Sequence, residues 1–210
     1  MQAVAAPVAV HRPLAAEEAA RADFYALLGR LLQLPPDNAL LRTLAAASAI
    51  PAEGDARLAR AWQDLIDASS AMDAEAALDE YETLFGGVGK SSVSPYAGFY
   101  SGATAVEHPR VRIRDDLAGL GLAPRDASTE PEDHFAALFD AMRILVAGGA
   151  GRGPATLAEQ RRFFEFHVKP GVGKFVQALS HAPQANYYRK VAALGAAFFA
   201  IETESFQLEA

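Results

Sequence analysis

Three stretches of this 210-residue chain carry residue types that could do chemistry. The first, Gly89-Lys90-Ser91, matches the end of a phosphate-cradling loop. Such a loop also needs a glycine five places before Gly89, where the chain has Leu84, and a preceding strand, where the chain has helical periodicity. The stretch therefore reads as a polar loop, and Ser91, Ser92 and Ser94 lack the strand-turn-helix setting of a hydrolase nucleophile. The five histidines, at 11, 108, 134, 167 and 181, form no i, i+4 pair, and there is no cysteine to assist them. Zinc ribbons, iron–sulfur ligation, thiol nucleophiles and disulfides drop out together. No metal or cofactor is expected, and no catalytic residue is assigned: the chain reads as a binding protein, not an enzyme.

The second stretch, Thr129-Glu130-Pro131-Glu132-Asp133-His134, supports two readings. Thr129 with Glu132 fits a capping box, Pro131 fits a first helical turn, and the carboxylates favour the positive end of the helix dipole. Alternatively, carboxylates and an imidazole beside the apolar stripe Phe135, Leu138, Phe139, Met142 and Val146 suit a peptide with both charged and greasy parts. Successive helix residues point about 100° apart, so these side chains do not converge on one ion. The third stretch, Tyr81-Glu82-Thr83-Leu84-Phe85, places apolar side chains at i, i+3, i+4, a buried helix face. Pro95-Tyr96 reads as a turn with an anchoring aromatic, and Phe163, Phe164 and Phe166 as core.

The elements that must position these residues are helical. Alanine, the best helix former, supplies 46 residues and β-branched types are scarce. Residues 1–14, with Pro7 and Pro13, read as a tail, and 15–210 as one helical domain. A helix to about Leu34 carries Phe24, Leu27, Leu28 and Leu31 on one face. Pro35-Pro36 stops it, and Asp37 can cap a helix through Leu44. Helices follow over 55–71 and 73–85, then an irregular stretch over 86–104. Val111-Arg112-Ile113-Arg114, within an element at 109–119, is the one strand-like alternation. After a 120–129 loop come helices over 130–147, ended by glycines 148, 149, 151 and 153, then from Pro154 to Val168, 172–181 and 184–205. The last shows a stripe of Tyr187, Val191, Leu194, Phe198 and Ile201.

The net charge of −7 and pI near 5.2 disfavour a general nucleic-acid binder, and mean hydropathy is +0.05 with 51% hydrophobic residues, unlike a disordered chain. No apolar run is long enough to span a bilayer, so no stable membrane insertion is expected. The first basic residue, Arg12, follows the apolar start instead of preceding it, the reverse of a secretory leader. The arginine excess over lysine, fifteen to four, reads as coding bias.

In order, the pieces Tyr25-Ala26-Leu27-Leu28, Leu34-Pro35-Pro36, Tyr81-Glu82-Thr83-Leu84-Phe85, Ser94-Pro95-Tyr96 with Tyr100, Glu130-Pro131-Glu132-Asp133-His134, Phe163-Phe164-Glu165-Phe166-His167 with Pro170, and Tyr187-Tyr188 resemble the TorD/DmsD family of molybdoenzyme maturation chaperones, to which the nitrate reductase chaperone NarJ is related. The resemblance spans about 20–205. It implies an all-α domain of about nine or more helices. It also implies a cytoplasmic chaperone that binds the twin-arginine signal peptide of a molybdenum-cofactor oxidoreductase and holds back export until the cofactor is inserted. The partner would be that enzyme's catalytic subunit and leader, with the chaperone a monomer or a helix-swapped homodimer. The family's Pro-x-Asp-His positions fall on Pro131, Asp133 and His134, with Glu130 alongside, and Tyr81, Leu84, Phe85, Pro95 and Tyr96 would line the neighbouring apolar pocket. Where the family often has a glutamate four residues after the motif histidine, this chain has Leu138. The alternatives are a GTP-binding regulatory protein or hydrolase using Gly89-Lys90-Ser91, or a helical adaptor using the 86–104 loop.

Overall fold

The computed structural model describes residues 14–51, 53–86, 91–102, 109–122, 131–149 and 151–208. Three aspartates start consecutive helices. Asp37 accepts the Leu40 amide to open α2 (Asn38–Ala45), and Asp55 accepts those of Arg57 and Leu58 to open α3 (Ala56–Ala71). Asp73 accepts the Ala76 amide to open α4 (Ala74–Phe85). Each carboxylate satisfies donors that the first turn leaves orphaned. Ahead of them, α1 (Ala16–Gln33) runs up to Pro35-Pro36.

α1 pairs with α7 (Phe135–Ala147) to form the centre of the molecule. Tyr25 meets Phe139, and Gly29 lies against the Ala136 carbonyl and Phe139, so rising numbers on α1 meet falling numbers on α7. The pair is antiparallel, and the C-terminal end of α1 lies beside the N-terminal end of α7. The long α10 (Tyr187–Leu208) closes the core against α3 and against α9 (Lys169–His181). Phe24, Tyr25, Phe139, Phe198 and Phe199 form a chain of ring contacts between 4.9 and 6.2 Å across the α1, α7 and α10 faces.

The helices depart from the periodicity reading in several places, each with a physical cause. Residues Pro109–Gly119 are helical (α6): Val111 is 56% exposed while Ile113 is 1% exposed, although a strand would put both on one side. The helix expected over 130–147 begins at Phe135, because His134 and not Thr129 caps it; Thr129 lies outside the described residues. The helix expected from Pro154 begins at Leu157 (α8, Leu157–Phe163), where Thr156 and Glu159 form a full capping box. It then passes through a π-helical turn, Phe164–Val168, directly into α9. There the Lys169 amide reaches back five residues to the Phe164 carbonyl. Pro170 explains the wide turn, since its ring would clash with the carbonyl four residues back in a regular helix. Among its described residues, the irregular 86–104 stretch contains one helical turn, α5 (Ala97–Tyr100). Phe163 and Phe164 are core as expected, but Phe166, thrown outward by the π turn, is 59% exposed.

Candidate functional site

The segment Pro131–His134 is tied to the segment before α5 by a short piece of antiparallel pairing. The Ala97 amide donates to the Asp133 carbonyl at 2.8 Å, and the Phe135 amide donates to the Pro95 carbonyl at 2.9 Å. Tyr96 and His134 are the bridged pair, and their rings meet edge to face at 5.3 Å. His134 Nδ1 accepts the Ala136 amide at 3.1 Å, so this nitrogen carries no proton and the imidazole serves as the N-cap of α7. Asp133 and His134 are both buried.

The carboxylates here are compensated from within the chain. Arg110 Nε donates to Asp133 Oδ1 at 2.8 Å, and Arg114 reaches Glu132 Oε1 through Nε at 2.8 Å and Nη2 at 2.6 Å. Both arginines stand on α6, four residues apart and hence on one face. The Asp133 side chain is 5% exposed and its Arg110 partner 45%; for Glu132 and Arg114 the values are 16% and 64%. Glu132's own backbone N–H, and then Arg114, hold its carboxyl below the usual range against the opposing effect of burial. Glu130, named with them from the sequence, lies outside the described residues, as do Gly89 and Lys90.

The α4 residues form a second group. Tyr81 donates its hydroxyl to the carbonyls of Leu32 and Gln33, each at 3.0 Å, covering the C-terminal end of α1. Its ring meets Phe85 at 5.2 Å and Tyr188 at 6.0 Å, and Phe85 meets Tyr188 at 5.2 Å. Leu84 is wholly inside the core, and its carbonyl accepts the Val93 amide. Because α1 and α7 are antiparallel, this cluster and the Asp133-His134 junction share one end of the central pair. Leu138, four residues after His134, is fully buried.

Several polar features escaped the sequence reading. A cavity of about 530 Å³ opens between α5, α6 and the π turn, with Arg112, Asp116, Arg162 and the exposed Phe166 on its walls. At its floor His167 Nε2 lies 2.7 Å from Asp116 Oδ2, and Arg162 lies 3.3 Å from Asp116 Oδ1. The helical spacing Arg110, Ile113, Arg114, Leu117 was the available signal for α6, hidden by the Val-Arg-Ile-Arg alternation. Among the described residues no three His, Asp or Glu side chains sit close enough to hold a metal ion, and no helix is long and apolar enough to cross a membrane.

Residues 51–177 match the model of the nitrate reductase delta subunit family, more than half of the sequence. The chain belongs to that family. Chaperone protein TorD of Ferrimonas balearica is 30% identical over 125 residues, 59% of this chain and 56% of the relative, so the match spans about half the length of that curated protein. A protein of Archaeoglobus fulgidus described as a redox enzyme maturation protein superposes with a TM-score of 0.54 at 15% identity, covering 91% of this chain and 98% of that one. That likeness concerns the helical fold alone, over nearly the whole chain. The delta subunit match takes in α3 through most of α9 and therefore both groups of candidate residues.

Proposed function

We propose that this chain is a cytoplasmic maturation chaperone for a molybdenum-cofactor oxidoreductase. It binds the enzyme's basic, twin-arginine N-terminal signal peptide and holds the apo form until the cofactor is in place. Family membership and the likeness to a TorD chaperone support the class of activity. The observation that carries the peptide reading is that Glu132 and Asp133 hold two guanidinium groups side by side, at 2.6 to 2.8 Å. Carboxylates that hold two arginines, at the same end of the α1–α7 pair as an aromatic cluster, answer to a segment that is basic and then apolar.

The test is calorimetric titration of the full chain with a synthetic peptide carrying two adjacent arginines followed by an apolar run. Asp133→Asn keeps the shape and removes the charge, and His134→Asn keeps a good N-cap while removing the imidazole. Both variants should retain helicity and lose at least about tenfold in affinity, the scale of one charge-assisted hydrogen bond. Unchanged affinity in both would remove Asp133 and His134 from the site.

A further inference from the structure

We infer that α6 is a built-in competitor for the peptide site, its Arg110 and Arg114 occupying the carboxylates that the client's arginine pair takes over on binding. The inference rests on the signal-peptide reading above and concerns how that same site is regulated.

The argument begins with asymmetric burial. Asp133 is 5% exposed and needs a cation beside it, because a buried carboxylate left alone is costly. Its partner is different in kind: Arg110 and Arg114 are 45% and 64% exposed, and ion pairs whose cation is largely in water contribute little net stability. Emptying the carboxylates is therefore unfavourable, whereas replacing one guanidinium by another is close to even. The site is built to exchange its occupants.

The helix carrying those occupants is lightly held. Of the side chains described in α6, Ile113 alone is buried, with Leu117 packed partly against the core. Its inward face, Arg110, Ile113, Arg114 and Leu117, is half ionic. Further ties among the described residues are Asp116, held by His167 and Arg162 on the opposite side of the helix from the two arginines, and the Leu120 carbonyl just past the helix, which accepts from Arg152. A helix with one fully buried side chain and otherwise mainly ionic ties can swing away from a surface whose carboxylates stay fixed, because the Asp133 backbone carbonyl is hydrogen-bonded to Ala97.

The experiment measures peptide affinity for the full chain and for Arg110→Gln/Arg114→Gln, together with amide hydrogen exchange across 109–122 with and without saturating peptide. Removing the internal competitors should tighten binding about five- to tenfold, the scale of two weak exposed pairs no longer displaced. Peptide should speed exchange in α6 of the unaltered protein. Parent binding with equal or weaker affinity in the variant, or parent binding with no change in α6 exchange, overturns the inference and leaves the peptide reading standing. Binding by neither protein overturns the peptide reading and the inference with it. Binding by the variant alone supports both. If the double variant loses helicity, Arg110→Lys/Arg114→Lys keeps the charges while losing the planar fork, and the same gain in affinity, reduced in size, is expected.

Discussion

The carboxylate of Glu80 accepts the backbone amide of Tyr188 at 2.8 Å, and the same group accepts the amides of Asn186 at 2.8 Å and Tyr187 at 3.0 Å. A side chain of α4 thereby satisfies the open N-terminus of α10, while Tyr81, the next residue, covers the last carbonyls of α1. One turn of α4 joins the ends of two other helices. Glu80→Ala should lower stability by about 1–2 kcal/mol, the upper range for a lost cap plus its charge at the helix dipole. Glu80→Gln, which accepts hydrogen bonds without the charge, should lose less. Urea denaturation followed by circular dichroism measures both, and equal stability of Glu80→Ala and the parent would contradict the role.

Glu202 on α10, a buried carboxylate, receives Arg21 through Nε at 2.7 Å and Nη2 at 2.9 Å and the Tyr25 hydroxyl at 2.7 Å. Burial, then the neighbouring Glu202 charge, push the Tyr25 phenol well above its ordinary value. Truncation to Glu202→Ala takes the bidentate partner from the largely buried Arg21, which keeps only Glu18 and Gln160, and the acceptor from Tyr25, and should cost about 3 kcal/mol, the low end for a broken buried pair. Replacing the whole set, Arg21→Met/Tyr25→Phe/Glu202→Leu, should recover most of that loss, because well-packed apolar groups often match a buried ion pair. Denaturation midpoints of the two variants settle the point; a triple variant less stable than Glu202→Ala would show that the network itself holds α1 to α10.

Gly148 ends α7 at φ +79° and ψ 179°, a region that residues with a Cβ avoid. A Cβ there would come within 2.9 Å of the Arg152 carbonyl oxygen. Gly148→Ala should therefore destabilise by about 1–3 kcal/mol, although alanine is the better helix former elsewhere. Gly173, a helical glycine whose Cβ would meet open space, is the control: Gly173→Ala should be neutral or stabilising. A thermal melt in which both variants shift equally would refute the backbone argument.

What was legible in the sequence follows from how local each signal is. Asp37 as the cap of α2, the stop at Pro35-Pro36, and the stripe of Tyr187, Val191, Leu194 and Phe198 on α10 depend on residues within a few positions of one another, and the structure keeps them, with Ile201 at the end of that stripe only half-buried. The start of α7 was misplaced by five residues because a competing tertiary contact, the pairing of Pro95–Ala97 with Asp133–Phe135, holds the segment before Phe135 extended. Nothing near 130 in the chain announces that contact. The arginine partners of Glu132 and Asp133 were illegible for the same reason: they lie 18 and 23 residues away, on a helix whose apolar face is too thin to register as periodic. The motif Pro131-Glu132-Asp133-His134 was legible as a motif, while its local charge balance needed the fold.

His167 gives the last prediction, a pH dependence of the contact that holds α6 to the π turn. Burial holds the imidazole below its ordinary value near 6.5, outweighing the opposing pull of Asp116, and Arg112 and Arg162 lower it further. A carboxylate oxygen cannot donate, so at neutral pH a neutral imidazole donates from Nε2 to Asp116. With the folded value depressed, the unfolded chain takes up the proton first. This residue's contribution to stability is complete above about pH 6.5 and is lost as pH falls from there through the folded value. The thermal midpoint of the parent should therefore fall between pH 6.5 and 5 more steeply than that of His167→Gln, whose amide can still donate to Asp116 but does not titrate. The His167 ring resonance, followed by NMR, should titrate below the ordinary imidazole value near 6.5. Parallel stability curves for parent and variant, or a His167 titration at or above the ordinary imidazole value, would sink the assignment.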